Sequence, residues 1–346
     1  MKQTYTATID NRPVSTEASL PVVNPATEEV FAQAPDCGAA ELDAAVAAAR
    51  AAFPAWRAAP IAERQRLVRE LAAAIREHRV ELSRLLTREQ GKPVPAAEYD
   101  VDKGAMWCEA YAAMDLPVDV VEDNAHRRIE VHHTPIGVVG ALAPWNFPVV
   151  LAMLKAAPAL VAGNTVVLKP SPFTPLATLR LGEIAREILP PGVLNVISGG
   201  DHLGPLMTAH PGIDKVSFTG SSATGKRVMA SAAPSLKRVT LELGGNDAAI
   251  VLPDVDVDAV AQQVFAAAFG NSGQICIAVK RLYIHEDIYD RFAAALVELA
   301  RSARLGDGSE QGTQLAAGHH CAHGQSAHGP LGHDSLTGGM CSCAVF

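Results

Sequence analysis

The chain has 346 residues, 49% of them hydrophobic, which is enough to bury the core of one large domain or two. Its formal net charge of −8 argues against a basic surface for nucleic acid. The N-terminal residues MKQTYTATIDNRPV lack the apolar segment of a signal peptide. Cys37, Cys108 and Cys276 are far apart, which suits reduced thiols better than a disulfide framework. We therefore expect a cytoplasmic protein.

The first part of the chain has helical patterns. Residues 39–58 and 61–90 are rich in Ala, Glu and Arg, and an apolar stripe at helical spacing marks the second region. Residues 117–135 contain the alternating polar stretch HRRIEVHH between two prolines. This pattern predicts a solvated antiparallel hairpin.

From residue 136 the pattern alternates between short β-branched runs and segments of helix length. The runs are IGVVGAL (136–142), NTVVLKP (164–170), VLNVISG (193–199), KVSFTG (215–220), AAIVL (248–252) and RLYIH (281–285). Short apolar strands separated by helices predict a parallel sheet with crossover helices.

The long apolar stretch at 136–163 has a membrane interpretation, because Lys155 is its only charge. Pro144, Pro148 and Pro158 interrupt it, and Asn146 lies near its middle. A buried strand followed by a buried helix explains the stretch better, and we expect no membrane span.

The stretch FTGSSATGKR (218–227) fits the G-x-x-x-x-G-K pattern of nucleotide hydrolases. Arg227 stands where such a loop needs Ser or Thr to bind Mg²⁺, so an ATPase is disfavoured. A strand, a glycine turn and a helix start still present N–H groups to an anion. Gly220 and Ser221 are therefore candidate phosphate contacts, and a turn that binds nothing is the alternative.

Three further residues are candidates for catalysis. Glu242 lies between leucines and before paired glycines, and a carboxylate in apolar surroundings has a raised pKa and can act as a general base. Cys276 follows Gly273 and Gln274 and is a candidate nucleophile. The amide of Asn146, in APWNFP, is a candidate oxyanion donor. The alternatives are an ion-paired or capping glutamate, a buried thiol and a turn-forming asparagine.

In combination and order, APWNFP, VVLKPSPFTP, FTGSSATGK, LELGGNDA and GNSGQIC resemble the NAD(P)-dependent aldehyde dehydrogenase superfamily over about residues 20–315. The resemblance implies an α/β fold with a Rossmann-type parallel sheet for the cofactor and a second, incomplete α/β catalytic domain. It also implies oxidation of an aldehyde to a carboxylic acid with hydride transfer to the cofactor.

By this resemblance, Cys276 attacks the aldehyde and forms a thiohemiacetal, whose oxyanion is held by Asn146 and the N–H of Cys276. Hydride transfer leaves a thioester, and Glu242 activates the water that hydrolyses it.

The resemblance also assigns cofactor contacts. Lys169 and Ser171 would bind the adenosine ribose, and Gly220 and Ser221 the pyrophosphate. Trp145 and Leu243 complete the set, with Trp145 on the nicotinamide side. Pro172 occupies a position where many NAD-preferring members carry a glutamate. We expect NAD as the cofactor, and NADP is not electrostatically excluded.

The match fades after LGDGSEQGTQL (305–315), where residues 316–346 become rich in His, Cys and Gly. This tail predicts either a disordered or frame-shifted end, or a metal site around His319, His320, Cys321 and His323. The expected organisation is a dinucleotide-binding domain (1–116 and 136–244), an oligomerisation hairpin (117–135), a partial catalytic domain (245–315) and the tail (316–346).

Members of the superfamily usually continue further, so we expect a truncated chain that carries the catalytic residues but folds poorly or lacks activity. The alternatives to aldehyde oxidation are a catalytically silent remnant and an acylating relative that passes the thioester to coenzyme A or phosphate. Glu242 argues against the acylating alternative. A homo-oligomer is expected for the intact enzyme.

Overall fold

The computed structural model describes residues 3–316 and 343–345. The helices of this part of the chain are α1 (Ala39–Ala58), α2 (Ile61–Glu77), α3 (Arg79–Gln90), α4 (Val94–Ala112), α5 (Pro148–Val161), α6 (Leu176–Ala185), α7 (Leu203–Ala209), α8 (Ser222–Ala232), α9 (Val257–Phe269) and α10 (Tyr289–Ser302). The two regions with helical spacing before residue 90 are thus confirmed as α1, α2 and α3.

The strands of the described residues confirm all six predicted apolar runs and add others. They are β1 (Gln3–Thr4), β2 (Ala7–Ile9), β3 (Arg12–Val14), β4 (Ser19–Asn24), β5 (Glu29–Pro35), β6 (Asp119–Asp123), β7 (Arg128–Val131), β8 (Val138–Leu142), β9 (Thr165–Lys169), β10 (Leu194–Val196), β11 (Lys215–Thr219), β12 (Arg238–Glu242), β13 (Asp247–Val251), β14 (Val279–Ile284), β15 (Leu305–Gly306), β16 (Leu315–Ala316) and β17 (Cys343–Val345).

The chain forms two compact units. The first consists of Met1–Val23, Val30–Leu86 and Glu98–Glu242, and the second of Asn24–Glu29, Thr87–Ala97 and Leu243–Phe346. The domain boundaries inferred from the sequence stay predictions. Residues 317–342 and 346, which make up most of the predicted tail, lie outside the described residues.

A seven-stranded sheet forms the centre of the first unit, in the order β12-β11-β8-β9-β10-β2-β3. Strands β8 to β12 are mutually parallel, while β2 and β3 join antiparallel at one edge. The chain moves from β8 to β9 and β10 on one side, then returns to place β11 and β12 on the other. The strand order therefore reverses between β8 and β11, which is where open parallel sheets bind ligands.

Strands β8 and β9 lie in the middle of this sheet, and all five residues of each are buried. This burial explains why each strand contains a run of consecutive apolar residues rather than an alternating pattern. Helix α5 covers the sheet with a largely apolar surface, and Pro148 occupies its first turn. In the described part of the chain, no helix is long and apolar enough to cross a membrane.

Strands β6 and β7 pair antiparallel and are almost entirely exposed, which confirms the hairpin predicted at 117–135. Its side chains form ion pairs along the surface, such as Arg128 with Asp123 at 3.0 Å. Exposed apolar residues, including Val120, Val121 and Ile129, lie on the same hairpin. A role in oligomerisation stays a prediction.

The second unit contains a parallel sheet in the order β13-β14-β17 and the two-stranded sheet β15-β16. Its core joins strand residues such as Leu282 and Ile284 to helix residues such as Val257, Ala261 and Phe292. Phe292 is completely buried.

Gly192, in the turn before β10, gives a first stability prediction. It has a φ of +76°, and a Cβ there would lie 2.5 Å from the Ala48 carbonyl oxygen of α1. We expect Gly192→Ala to lower the free energy of unfolding by about 3 kcal/mol, because left-handed alanine is strained and α1 must move to make room. Denaturant unfolding followed by circular dichroism measures this change.

Gly204→Ala is the matched control for Gly192→Ala. Gly204 lies in α7, and the nearest atom to an added Cβ is Leu142 Cδ2 at 3.9 Å. Because alanine favours helix, this control is expected to be neutral or slightly stabilising. Equal stabilities of the two variants would contradict the account of Gly192.

Candidate active site

The predicted residues of the first unit lie at, or just after, the carboxyl ends of neighbouring parallel strands. Trp145 and Asn146 follow β8, Lys169 and Ser171 end or follow β9, and Gly220 and Ser221 follow β11, while Glu242 ends β12. The structure therefore brings these seven residues to the side of the sheet where the parallel strands have their carboxyl ends. The reversal point between β8 and β11 lies on this side.

The APWNFP stretch forms the short connection between β8 and α5. The backbone N–H of Ala143 donates to the Lys169 carbonyl at 2.9 Å, and Thr174 Oγ1 donates to the Trp145 carbonyl at 3.3 Å. Asn146 is half-buried two residues before Pro148, the first residue of the helix. Contacts on both sides therefore hold the backbone that carries Asn146.

Lys169 is buried at the end of β9, and its Nζ donates to the Pro170 carbonyl at 3.2 Å. Burial lowers the pKa of Lys169 to about 8, and the nearby charges of Asp201 and Asp36 oppose this shift. Ser171 is also buried, and its Oγ accepts from the Phe173 N–H at 3.3 Å. A buried ammonium on this edge suits a polar or anionic ligand.

The turn after β11 begins α8. Ser221 is the N-cap residue, and its Oγ accepts from the Thr224 N–H at 3.2 Å and donates to Thr224 Oγ1 at 3.0 Å. The Gly220 N–H donates to the Glu242 carbonyl at 3.0 Å. The Ser221 hydroxyl thus caps the helix, and the exposed start of α8 carries the positive end of the helix dipole.

Glu242 ends β12, whose pairing with β11 places it opposite Thr219. Its side chain is exposed, so the expectation of apolar surroundings from its leucine neighbours is wrong. Successive strand residues point to opposite faces of a sheet, so Leu241 and Leu243 do not determine what Glu242 contacts.

Lys155 is a residue of this edge that sequence reasoning did not select. It lies on α5, is buried, and donates from Nζ to Thr219 Oγ1 at 2.6 Å. Burial lowers the pKa of Lys155 to about 8, and the negative charge of Glu242 opposes this shift. The sequence did contain a sign of this role, because Lys155 is the only charged residue in the long apolar stretch at 136–163.

Lys155→Met gives a prediction with a defined pH dependence. The pKa of Lys155 falls from its ordinary 10.5 to about 8 on folding, so the folded state binds fewer protons between these values. The cost of burying the charge is fully present below pH 8 and disappears above pH 10.5. The stability of the variant relative to wild type should therefore fall by about 3 kcal/mol from neutral to strongly alkaline pH.

Thermal unfolding at several pH values measures this change for Lys155→Met. The control is Lys226→Met, which removes an exposed lysine of α8 and should give a flat difference from wild type. If the stability difference between Lys155→Met and wild type also stays constant with pH, the pKa of Lys155 is not lowered on folding.

In the second unit, Cys276 lies between a short turn, Gly270–Gly273, and β14. It is free and half-buried. A Cβ at Gly245 would lie 2.3 Å from the Cys276 carbonyl oxygen, so the LELGGNDA motif needs glycine for close backbone approach. Leu243, the remaining predicted cofactor residue, begins the last segment of this unit, Leu243–Phe346, and is partly buried.

Cys37 and Cys108 differ from Cys276 because both are completely buried. Burial raises the pKa of each thiol to about 12. Neither provides thiolate at neutral pH, so Cys276 is the candidate nucleophile among these three thiols.

Among residues 3–316 and 343–345, no three His, Cys, Asp or Glu side chains cluster in a way that could hold a metal ion. The metal alternative at His319, His320, Cys321 and His323 lies outside the described residues.

The model of the aldehyde dehydrogenase family matches residues 13–340, so the chain belongs to this family. Aldehyde dehydrogenase LUC3 from a Fusarium species is 42% identical over 295 residues, which cover 85% of this chain and 63% of LUC3. The chain spans between 57% and 66% of the length of eight curated relatives.

Solved structures confirm the predicted fold class. An NADP-dependent enzyme from E. coli has a TM-score of 0.87 and 38% identity, with 90% of this chain and 66% of that chain covered. PnpE, known from Pseudomonas sp. WBC-3, was solved with nicotinamide adenine dinucleotide. That complex has a TM-score of 0.86 and 40% identity, with 89% and 65% coverage.

Proposed function

We propose that the chain oxidises an aldehyde to a carboxylic acid with NAD(P)⁺ as hydride acceptor. The observation that carries this proposal is the convergence of Asn146, Lys169, Gly220 and Glu242 on the carboxyl edge of one parallel sheet. Membership in the aldehyde dehydrogenase family supports the same reaction.

Cys276 is proposed as the nucleophile. Its half-buried position leaves the thiol accessible, in contrast to the buried Cys37 and Cys108. Attack of the thiolate on the aldehyde carbon forms a thiohemiacetal. Loss of hydride from that carbon leaves a thioester on the cysteine.

Asn146 and the backbone N–H of Cys276 are proposed to donate to the oxyanion of the thiohemiacetal. A fixed amide stabilises developing charge without reorganisation, and the backbone around Asn146 is held by β8 and α5. Glu242 is proposed as the base that removes a proton from water, which then attacks the thioester. The exposed carboxylate has access to that water.

The residues of the first unit fit a dinucleotide. Gly220 and the exposed start of α8 suit the pyrophosphate, and the buried ammonium of Lys169, with Ser171, suits ribose hydroxyls. Trp145 and Leu243 are proposed to complete the contacts. When bound, NAD(P)⁺ supplies the hydride acceptor.

NAD is the proposed cofactor, with NADP also accepted. Pro172, three residues after Lys169, offers no carboxylate to bind the ribose hydroxyls or to repel a 2′-phosphate. One structural relative is described as NADP dependent and another was solved with nicotinamide adenine dinucleotide, so both cofactors occur among similar proteins.

The test incubates the purified chain with a panel of aldehydes and either cofactor, and follows reduced nicotinamide and product acid. Cooperative unfolding together with acid formation would support the proposal. Acyl-coenzyme A formation when coenzyme A is supplied would favour the acylating alternative. A folded chain that gives no aldehyde-dependent reduction would favour the silent alternative.

A homo-oligomer of the intact enzyme is also proposed. The exposed apolar residues of the β6–β7 hairpin support it, because a solvated hairpin rarely exposes several of them without a partner.

A further inference from the structure

The backbone before Cys276 adopts an uncommon conformation. Asn271 has φ 50° and ψ 37°, Ser272 has φ 55° and ψ 33°, and Gly273 has φ +76°. Two consecutive residues other than glycine in the left-handed region are strained, and they persist only where surrounding contacts hold them. The sequence places this turn three residues before the candidate nucleophile.

A buried side chain from a distant part of the same unit holds the turn. Gln90, the last residue of α3, is completely buried, and its Nε2 donates to Asn271 Oδ1 at 3.2 Å. Its Oε1 accepts from the Lys92 N–H at 2.9 Å, which fixes the orientation of the amide. Both ends of the Gln90 carboxamide are therefore bonded.

The backbone that follows the turn is held at two more points. Lys280 Nζ donates to the Ile275 carbonyl at 2.9 Å, and Gly245 leaves just enough space for the Cys276 carbonyl. The turn at 271–273 leads directly into this segment, so a change in the turn would alter the direction in which the chain reaches Cys276.

We infer that Gln90 is a positioning residue, which sets the direction of the Cys276 thiol by holding Asn271 in the left-handed turn. This inference rests on the proposed function of Cys276. Gln90 would act through Asn271 and would not touch the substrate.

The first test measures hydrogen exchange of the amides in residues 270–278, which requires no enzymatic activity. Gln90→Met keeps the size of the side chain and removes both hydrogen bonds. We expect exchange in this segment to become about tenfold faster, because the turn opens more often. The control is Phe292→Leu, which weakens the core of the same unit without removing a hydrogen bond.

If Gln90 only contributes to stability, Gln90→Met and Phe292→Leu should increase the exchange rate of residues 270–278 equally. The comparison is made under conditions in which both variants have lost the same melting temperature. Equal increases would overturn the inference. Faster exchange confined to this segment in Gln90→Met would support it.

The second test uses turnover of the full chain. We expect Gln90→Met to lower kcat by on the order of tenfold to a hundredfold while the KM for NAD(P)⁺ stays unchanged, since a misdirected nucleophile affects chemistry more than cofactor binding. Equal changes in kcat and KM would argue against positioning. If wild type shows no turnover but the exchange result holds, the proposed function fails and the inference about the turn survives.

A double-mutant cycle tests whether Gln90 acts through Asn271. Asn271→Gly removes the side chain and tolerates the positive φ. In that background, Gln90→Met is expected to have little further effect on exchange at 270–278. Additive effects of the two changes would contradict the coupling.

Discussion

Replacing Cys276 with alanine is expected to lower aldehyde-dependent NAD(P)H formation by at least ~10³-fold. The thiolate forms the covalent intermediate in the proposed reaction, and the other thiols of residues 3–316 are buried with pKa values raised to about 12. Initial rates with saturating aldehyde and cofactor measure this loss. Because Cys276 is only half-buried, the melting temperature should change little.

Cys108→Ala is the matched control for Cys276→Ala. It also removes one thiol, from the buried side of α4, and is expected to retain nearly full activity after correction for folded protein. A Cys276→Ala variant that oxidises aldehyde as fast as Cys108→Ala would exclude the covalent mechanism.

Replacing Glu242 with glutamine is expected to separate the two halves of the reaction. Attack by Cys276 and hydride loss need no base for water, so a burst of about one reduced cofactor per chain should remain. Hydrolysis of the thioester should slow by on the order of 10²- to 10⁴-fold. Rapid-mixing measurements of reduced nicotinamide separate the burst from the steady rate.

The control for Glu242→Gln is Glu17→Gln, an exposed carboxylate of the same unit, which should leave both phases unchanged. Hydroxylamine, a strong nucleophile, should cleave the accumulated thioester and restore turnover of Glu242→Gln. A variant that shows neither burst nor rescue would mean that Glu242 acts before the thioester forms.

The central strands were predictable because a strand buried on both faces needs consecutive apolar residues, which are visible in the sequence. All residues of strands β8 and β9 are buried, so each strand contains consecutive apolar residues and is followed by a turn. The same physics explains what was missed. Strand β12 alternates exposed and partly buried residues at the sheet edge, and β2 and β3 have only three residues each.

In the candidate site, the local structure around Gly220 and Ser221 was predictable from residue types that favour turns and helix starts. Gly220 and Ser221 follow a strand and begin a helix, as their sequence indicated. The surroundings of a side chain were not predictable in the same way. Glu242 is exposed although leucines flank it, because strand neighbours point to opposite faces. The hydrogen bond between Gln90 and Asn271 joins residues 181 positions apart, and neither residue type in the sequence indicates that the two side chains meet.

In the proposed reaction, aldehyde oxidation passes through an acyl group on Cys276. Peptide mass spectrometry of the Glu242→Gln variant, quenched after mixing with aldehyde and NAD⁺, tests it most directly. Trypsin releases residues 239–280, in which Cys276 is the only cysteine. We predict that this peptide gains the mass of the aldehyde less a hydride and a proton. Formation of the acid with this peptide unmodified, or with the acyl group on another cysteine, would contradict the claim.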